Sequence, residues 1–566
     1  MLSLRDKVKM KSSIYRGAKL KMKVHIQSKK ALSTQQKGGI LMNLIPNKPG
    51  LSPNYFCTWS TQNYGRADAF EETDFATFEG DQGAKSARNY LNEDAVFSHN
   101  GMIDQYNKIR GDLFFVFDDG WDVPYDVHPD TQRYLFGSVE LNEERFPSCM
   151  GDPAHRLKKL NDQVKSFGWR GAGLWIAAQA EGEGKDGFMF EEKELENYWR
   201  QRVRWSKEAG INYWKVDWGV RAGNFEFREM LSRIGREEAP QLIIEHCRNC
   251  GPINDDTNLP WGRELATGDG RFKSWGTFLQ DVLSIISFSD VLRAYDVTGP
   301  LSTASTLDRV ASILQGAKIN KEAIGIINCE DELYIGAALG CSIGIMRSGM
   351  LKEIPEFNYD MKNSRKSIDE IVRAVRWQRL APAFGANQQK VYLSDAILTD
   401  SWKFNKGETW AAWLIGNETK QACPAIVTRG IELKSVECKD IPPFIIASRH
   451  PNGAVSIAAL PRTIAQQGIY TPLAHVELVV GGSENPIGIF GKFEVITLIF
   501  EENMSEKIIW GQDLAGDIAV DITGKVIVQD NKVLISSALI KEIGLMAATE
   551  GDVSEPGMVL KIQKSI

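Results

Sequence analysis

Lys215 and Asp217 stand two residues apart in the run Ile211-Asn-Tyr-Trp-Lys-Val-Asp-Trp-Gly219, which is otherwise mostly apolar and aromatic. Side chains alternate faces along a strand, so a strand here points both the same way. Such a pair at the end of a buried strand is costly unless it is tightly paired or serves a site. It reads either as a structural ion pair closing a core strand or as a carboxylate nucleophile kept ionised by a neighbouring ammonium. The rest of the chain favours the nucleophile.

Further polar groups fall where other strands are expected to end: Trp59, the pair Asp118/Asp119, Glu245 and Asp290. Two carboxylates on opposite walls of an aromatic-lined cleft are what cleavage of a glycosidic bond requires, one attacking and one protonating the leaving oxygen. Asp217 suits the nucleophile. Asp290, closing an apolar run in which desolvation would raise its pKa, suits the acid/base. Asp296 is a second candidate for the acid, weighed against a loop carboxylate beside Arg293. Asp118 and Asp119 offer acceptors for vicinal hydroxyls. Trp59, Trp121 and Trp218 could stack on a sugar ring, with core packing the alternative for each.

The elements that must position these groups follow one grammar. Strand candidates begin near 55, 113, 172, 212, 241, 284, 323 and 343, the sixth being Ser284–Ser289 and the seventh Ala323–Asn328. Helical patterns lie between them, over 84–108, 155–168, 190–209, 224–236, 273–283, 305–316 and 331–341, with another over 366–381. Buried strands alternating with amphipathic helices predict an α/β chain with a (β/α)8 TIM barrel. No Gly-rich dinucleotide turn follows the first strand, which argues against an open doubly wound sheet. From 388 onward, short apolar runs separated by Gly, Asn and Pro predict C-terminal antiparallel β-sandwich structure. The expected domains are a basic extension over 1–50, the barrel over 51–387, a sandwich over 388–465, and a further β region over 466–566, in the same or a second β domain.

Composition narrows the partners. A formal charge of -6 argues against nucleic acid. No stretch approaches about 18 uninterrupted apolar residues, so no membrane span is expected. The basic first thirty residues lack an apolar signal core, which points to a cytoplasmic protein, or to a secreted or periplasmic one if a signal was removed. The eight Cys are scattered; Cys247 and Cys250 have C-x-x-C spacing, but no second such pair completes a zinc site, so reduced thiols without metal are expected.

Together, Asp118-Asp-Gly-Trp121, Lys215-Val-Asp217, Glu245-His-Cys247 and Ser289-Asp290 occur in the order seen in the α-galactosidase clan, glycoside hydrolase clan D, families 27 and 36. The chain resembles that clan over roughly 54–460. The resemblance implies a retaining exo-α-glycosidase without cofactor, with Asp217 as nucleophile and Asp290 as acid/base. It implies that Asp118, Asp119 and Lys215 hold the hydroxyls at carbons 4 and 6 above Trp59. Trp121, Trp175, Trp218, Glu245, Cys247, Arg248 and Arg293 complete the expected substrate-binding set. Two departures stand out. Family 27 places Arg four residues before its acid/base, where this chain has Ile286, with Arg293 a substitute. The loop reading carbon 2 carries Arg248-Asn-Cys-Gly-Pro252 in place of Trp or a Gly run.

An oligosaccharide or glycoconjugate ending in α-galactose is the base expectation. N-acetylgalactosamine (as for an α-N-acetylgalactosaminidase), β-L-arabinopyranose and an acidic or sulfated sugar are alternatives, and homo-oligomers are left open. Rival readings are a Schiff-base barrel using Lys215, a transglycosylase, and a non-catalytic carbohydrate-binding protein.

Overall fold

Eight short runs, most of them buried on both faces, pair in parallel and close into a barrel in sequence order. They are β1 Asn54–Cys57, β2 Leu113–Phe117, β3 Gly171–Ile176, β4 Tyr213–Val216, β5 Ile243–Cys247, β6 Val291–Arg293, β7 Ile326–Glu330 and β8 Ser342–Ile345. The computed structural model describes residues 42–64, 87–128, 131, 133–247, 275–294, 303, 306–307, 309–311, 313–314, 325–347, 367–386, 397–399, 426–439, 443–464 and 468–564. The expected sites Arg248 and Asp296 and the expected basic extension up to residue 41 lie outside them.

Local chemistry sets the crossover helices. Helix α1, Trp59–Tyr64, leaves β1 directly. Asp152 caps α2, Pro153–Ser166, by accepting from the His155 N–H, with Pro153 in the first turn. Helix α3, Glu192–Ala209, stops at Gly210, whose φ of 67° is left-handed. Asn224 caps α4, Phe225–Glu238, through the Phe227 N–H. Helix α5, Trp275–Phe288, leads into β6. The continuous helix expected over 84–108 is broken instead. Asn92 caps a new short helix, Glu93–Phe97, and a 3-10 turn follows at Met102–Asp104.

The sixth strand differs from expectation, with consequences for the site. Ser284–Phe288 are the last turns of α5, and the strand begins only after Asp290. Val282, Leu283, Ile285 and Ile286 are buried, whereas Ser284 and Ser287 are exposed. That is the spacing of one helical face rather than of a strand buried on both sides. The Ser289 N–H donates to the Ile285 carbonyl, closing the helix.

Beyond the barrel lie two large facing sheets and a two-stranded ribbon, Arg462–Ile464 with Gly468–Tyr470. The larger runs, neighbour to neighbour, Val520–Asp521, Lys507–Asp513, Gly557–Lys564, Ile487–Gly491, Val455–Leu460, Phe444–Arg449, Ile426–Arg429, Ile397–Thr399; the smaller runs Glu432–Cys438, Ala474–Gly481, Val495–Phe500, Lys532–Ser536, Ile527–Gln529. Both contain strands from either side of residue 465, so the two β stretches build shared sheets. Three of the pairings are parallel, so the sheets are mixed rather than purely antiparallel. The alternation of Ala474–Gly481 buries every second side chain between the sheets. A helix that the β pattern did not predict, Ser537–Gly544, is capped by Ser536. Arg373, on the helix Asp369–Trp377, joins barrel and sheets through a fully buried bidentate pair with Asp513, at 2.9 and 3.1 Å.

Candidate active site

Alternation along the barrel strands divides the residues into two sets. Trp214 and Val216 of β4 face the surrounding helices. Tyr55, Cys57, Phe114, Val116 and Tyr213 point inward with Met346 and form an apolar floor. Above it, toward the carboxyl ends of the strands, the interior becomes charged: Asp118, Lys215, Asp217, Glu245, Arg293 and Glu330, each at most 6% exposed. This is the face on which barrels of this type carry chemistry.

The charges alternate along a connected chain. Lys215 Nζ lies 3.1 Å from Asp118 Oδ2 and 3.3 Å from Glu330 Oε2. Arg293 continues it, 3.5 Å from Glu330 Oε1 and 3.2 Å from Asp217 Oδ1. Burial alone would lower the Lys215 ammonium, but Asp118 and Glu330 outweigh it and hold the group well above its ordinary value. Burial pushes Glu330 up, and Lys215 and Arg293 reverse that, leaving it below the usual carboxylate range. Glu245, on β5 between Lys215 and Arg293, follows burial and rises to about 7.

Asp217 is held from three directions. Its N–H donates to the Ile176 carbonyl, continuing the β3–β4 ladder by one residue. Its carboxylate accepts from Arg293 and, at 3.3 Å, from the Trp175 indole N–H. The chain then turns at Gly219, at a φ of 150°, where a Cβ would come within 2.7 Å of the Ala178 backbone. Only glycine lets the strand end pack so closely.

Asp118 and Asp119 are fixed by the start of α1. Thr58 Oγ1 accepts from the Asp118 N–H, and Gln62 donates to the Asp119 carbonyl. Asp118 accepts from the Asp119 N–H on one oxygen, and from Lys215 and the Cys57 thiol on the other. Arg88 grips Asp119 with two bonds of 2.8 Å. A carboxylate offers about four acceptor positions, so both retain capacity for hydroxyls.

The expected residues separate into those at the barrel mouth and those elsewhere. Asp290 is elsewhere. It precedes β6 and so lies at the amino end of the barrel, where it accepts from the Ile244 N–H at 2.9 Å and pairs with Arg236 at 3.5 Å. Burial does raise its carboxyl, as its apolar neighbours suggest, but on the face opposite Asp217. Trp121 is fully buried and donates to the Trp175 carbonyl, so it offers no stacking surface. Trp175 is 1% exposed and spends its N–H on Asp217. Trp59 is partly buried over the floor cluster, and Trp218 partly buried against Trp175 and Phe136, with ring centroids 5.3 and 5.0 Å away. Glu245 is fully enclosed beneath the mouth, and the Cys247 thiol donates to it at 3.4 Å.

Four participants were not foreseen: Glu330, Tyr55, Cys57 and Arg88. The signal for Glu330 was present, since β7 continues two residues past the expected end at Asn328 and finishes on the acid. Nothing in the sequence around Arg88 signals that it would close on Asp119.

No protein-family model matches the sequence, and no curated protein matches it. Among solved structures, α-galactosidase I from Mortierella vinacea aligns at 11% identity over 92% of this chain and 98% of that one, with a TM-score of 0.37. A GH27 β-L-arabinopyranosidase from Geobacillus stearothermophilus aligns at 8% identity over 80% and 88%, with a TM-score of 0.37. An α-amylase from Geobacillus thermoleovorans aligns at 11% identity over 91% and 99%, with a TM-score of 0.40. Likenesses this distant assign no residue roles to this chain.

Proposed function

We propose that this chain is a retaining exo-α-glycosidase of α-galactosidase type, with Asp217 as its nucleophile. The observation that carries the reading is the setting of Asp217. It is a carboxylate at the mouth of the barrel, ion-paired to Arg293 and oriented by the Trp175 N–H, beside the Asp118–Lys215 pair. Asp217 attacks the anomeric carbon, and the departing glycosidic oxygen takes a proton from an acid on the opposite wall. Water, giving its proton back to that group, then cleaves the glycosyl ester and restores Asp217. Asp118, Asp119 and Lys215 bind sugar hydroxyls, with Trp59 and Trp218 against the ring.

The acid/base role passes from Asp290 to Asp296. Ala294 leaves β6 on the carboxyl side, its N–H donating to the Asn328 carbonyl, and Asp296 follows two residues later. That chain position, past the carboxyl end of β6, supports Asp296 as the acid/base.

The test is hydrolysis of a panel of 4-nitrophenyl α-glycosides by wild type and by Asp217→Asn, Asp296→Asn and Asp290→Asn. Loss of about a thousandfold or more in the first two, with Asp290→Asn active, is expected. The sugar cleaved fastest decides between galactose and its 2-acetamido analogue. Sugar binding without cleavage by wild type would replace this reading with a carbohydrate-binding protein.

A further inference from the structure

Glu330 is 3% exposed and lies between the two cations of the site, Lys215 at 3.3 Å and Arg293 at 3.5 Å. Its Oε2 also accepts from the Tyr55 hydroxyl at 2.6 Å. The same hydroxyl oxygen lies 3.2 Å from Glu245 Oε1, while Tyr213 donates to Glu245 Oε2 at 2.8 Å. A phenol has one proton to give. The shorter contact, to the carboxylate flanked by two cations, takes it. The Tyr55–Glu245 contact then needs a proton from the other side, and only a protonated Glu245 supplies one. The backbone makes room for this arrangement: a Cβ on Gly344 of β8 would sit 2.5 Å from the Tyr55 hydroxyl oxygen.

We infer that Glu330 is the positioning residue of this site, an ionised carboxylate that fixes Lys215 against Asp118 and Arg293 against Asp217, itself aimed by Tyr55 and a proton-bearing Glu245. Its role in positioning the reacting groups rests on the glycosidase reading; the location of the proton does not. Among the described residues, the titratable and charged groups facing Glu330 and Glu245 are Tyr55 and Cys57 from β1, Asp118 beyond β2, Tyr213 and Lys215 from β4, Cys247 from β5 and Arg293 from β6, with Asp331 next to Glu330 in the chain. Among the described residues, with Glu245 neutral, the two cations face three carboxylates, Asp118, Asp217 and Glu330. An ionised Glu245 would add a second uncompensated charge to a fully buried cluster.

Isotope-edited infrared spectroscopy of the full chain near pH 6 reads carboxyl protonation without substrate. The expected result is a protonated-carboxyl band that disappears in Glu245→Gln and persists in Glu330→Gln. In Tyr55→Phe the band should shift as its hydrogen-bond acceptor is lost. A band that disappears in Glu330→Gln instead, or that is unmoved by all three changes, overturns the proton assignment. On the substrate the wild type cleaves, Glu330→Gln is expected to lower kcat about 100-fold with KM within about threefold. It should also move the acidic limb of kcat/KM to lower pH, because the Arg293 charge is then no longer shared with Glu330. A loss of rate with an unmoved limb reduces Glu330 to packing and overturns the positioning role. If the wild type cleaves no glycoside, the hydrolase reading fails, and the infrared result still decides the proton.

Discussion

The cation that pairs with Asp217 is Arg293, at 3.2 Å, and not Lys215, its neighbour two residues back on the same face of β4. Lys215 reaches across the barrel to Asp118 and Glu330 instead. The two cations therefore hold different carboxylates and, among the described residues, share Glu330. On the proposed reading, that separation leaves one side of the site to the nucleophile and the other to sugar hydroxyls.

Arg293 is 1% exposed at its side chain and touches both Asp217 and Glu330, so truncation leaves two buried carboxylates each short of a partner. Arg293→Ala is expected to lose about 3–5 kcal/mol of stability in urea unfolding. Arg293→Lys keeps the charge but not the fork that spans both partners, and should fold while losing about 100-fold in kcat/KM. A lysine variant with full activity would show that simple charge, not the shared geometry, is what Asp217 needs.

Asp290 gives a contrasting prediction. Its side chain is 32% exposed and its partner Arg236 is 54% exposed, so the ion pair is weak. An asparagine oxygen can still accept from the Ile244 N–H. Asp290→Asn should therefore keep kcat within about twofold and lose less than about 1 kcal/mol, measured by initial rates and thermal melting. A thousandfold loss of rate with an unchanged melt would return Asp290 to the chemistry.

The contrast between Asp217 and Asp290 shows where the sequence could be read and where it could not. Beta4 is flanked by an obvious helix and ends in a glycine turn, so both its extent and its direction were legible. At Ser284–Ser289, the same apolar composition fits a strand or one face of a helix, and only the exposed Ser284 and Ser287 decide between them. That slip moved one carboxylate from the bottom of the barrel to the top. Pairing was less legible than position. That Lys215 would choose Asp118, or that Arg88 would close on Asp119, depends on which strands and loops meet across the barrel, and local spacing does not encode this.

Glu245 predicts a pH dependence of stability. Burial raises its carboxyl from about 4.5 to about 7, so between those values the folded chain holds a proton that the unfolded chain releases. The stability this contributes is fully present below about pH 4.5 and is lost as pH rises through 7. The difference amounts to about 3 kcal/mol at most. Glu245→Gln carries the same donor and acceptor without titrating. Denaturant titrations from pH 5 to 8 should show wild type weakening relative to this variant. Parallel curves would mean that Glu245 is ionised throughout.

Trp121 and Trp218 separate core from recognition. Trp121 is fully enclosed, with its N–H committed to the Trp175 carbonyl, so Trp121→Ala should cost about 3–5 kcal/mol and leave the KM of the folded fraction unchanged. Trp218 directly follows Asp217 and keeps part of its ring accessible while packing on Trp175 and Phe136. On the proposed reading, removing it takes away a surface for the sugar more than a piece of the core. Trp218→Ala is expected to raise KM about tenfold, a typical loss for one aromatic contact of about 1.4 kcal/mol, with a smaller stability change than Trp121→Ala. Paired melts and saturation curves check both variants. If Trp218→Ala melts as low as Trp121→Ala with KM unmoved, its ring is core, and Trp218 leaves the proposed sugar-binding set.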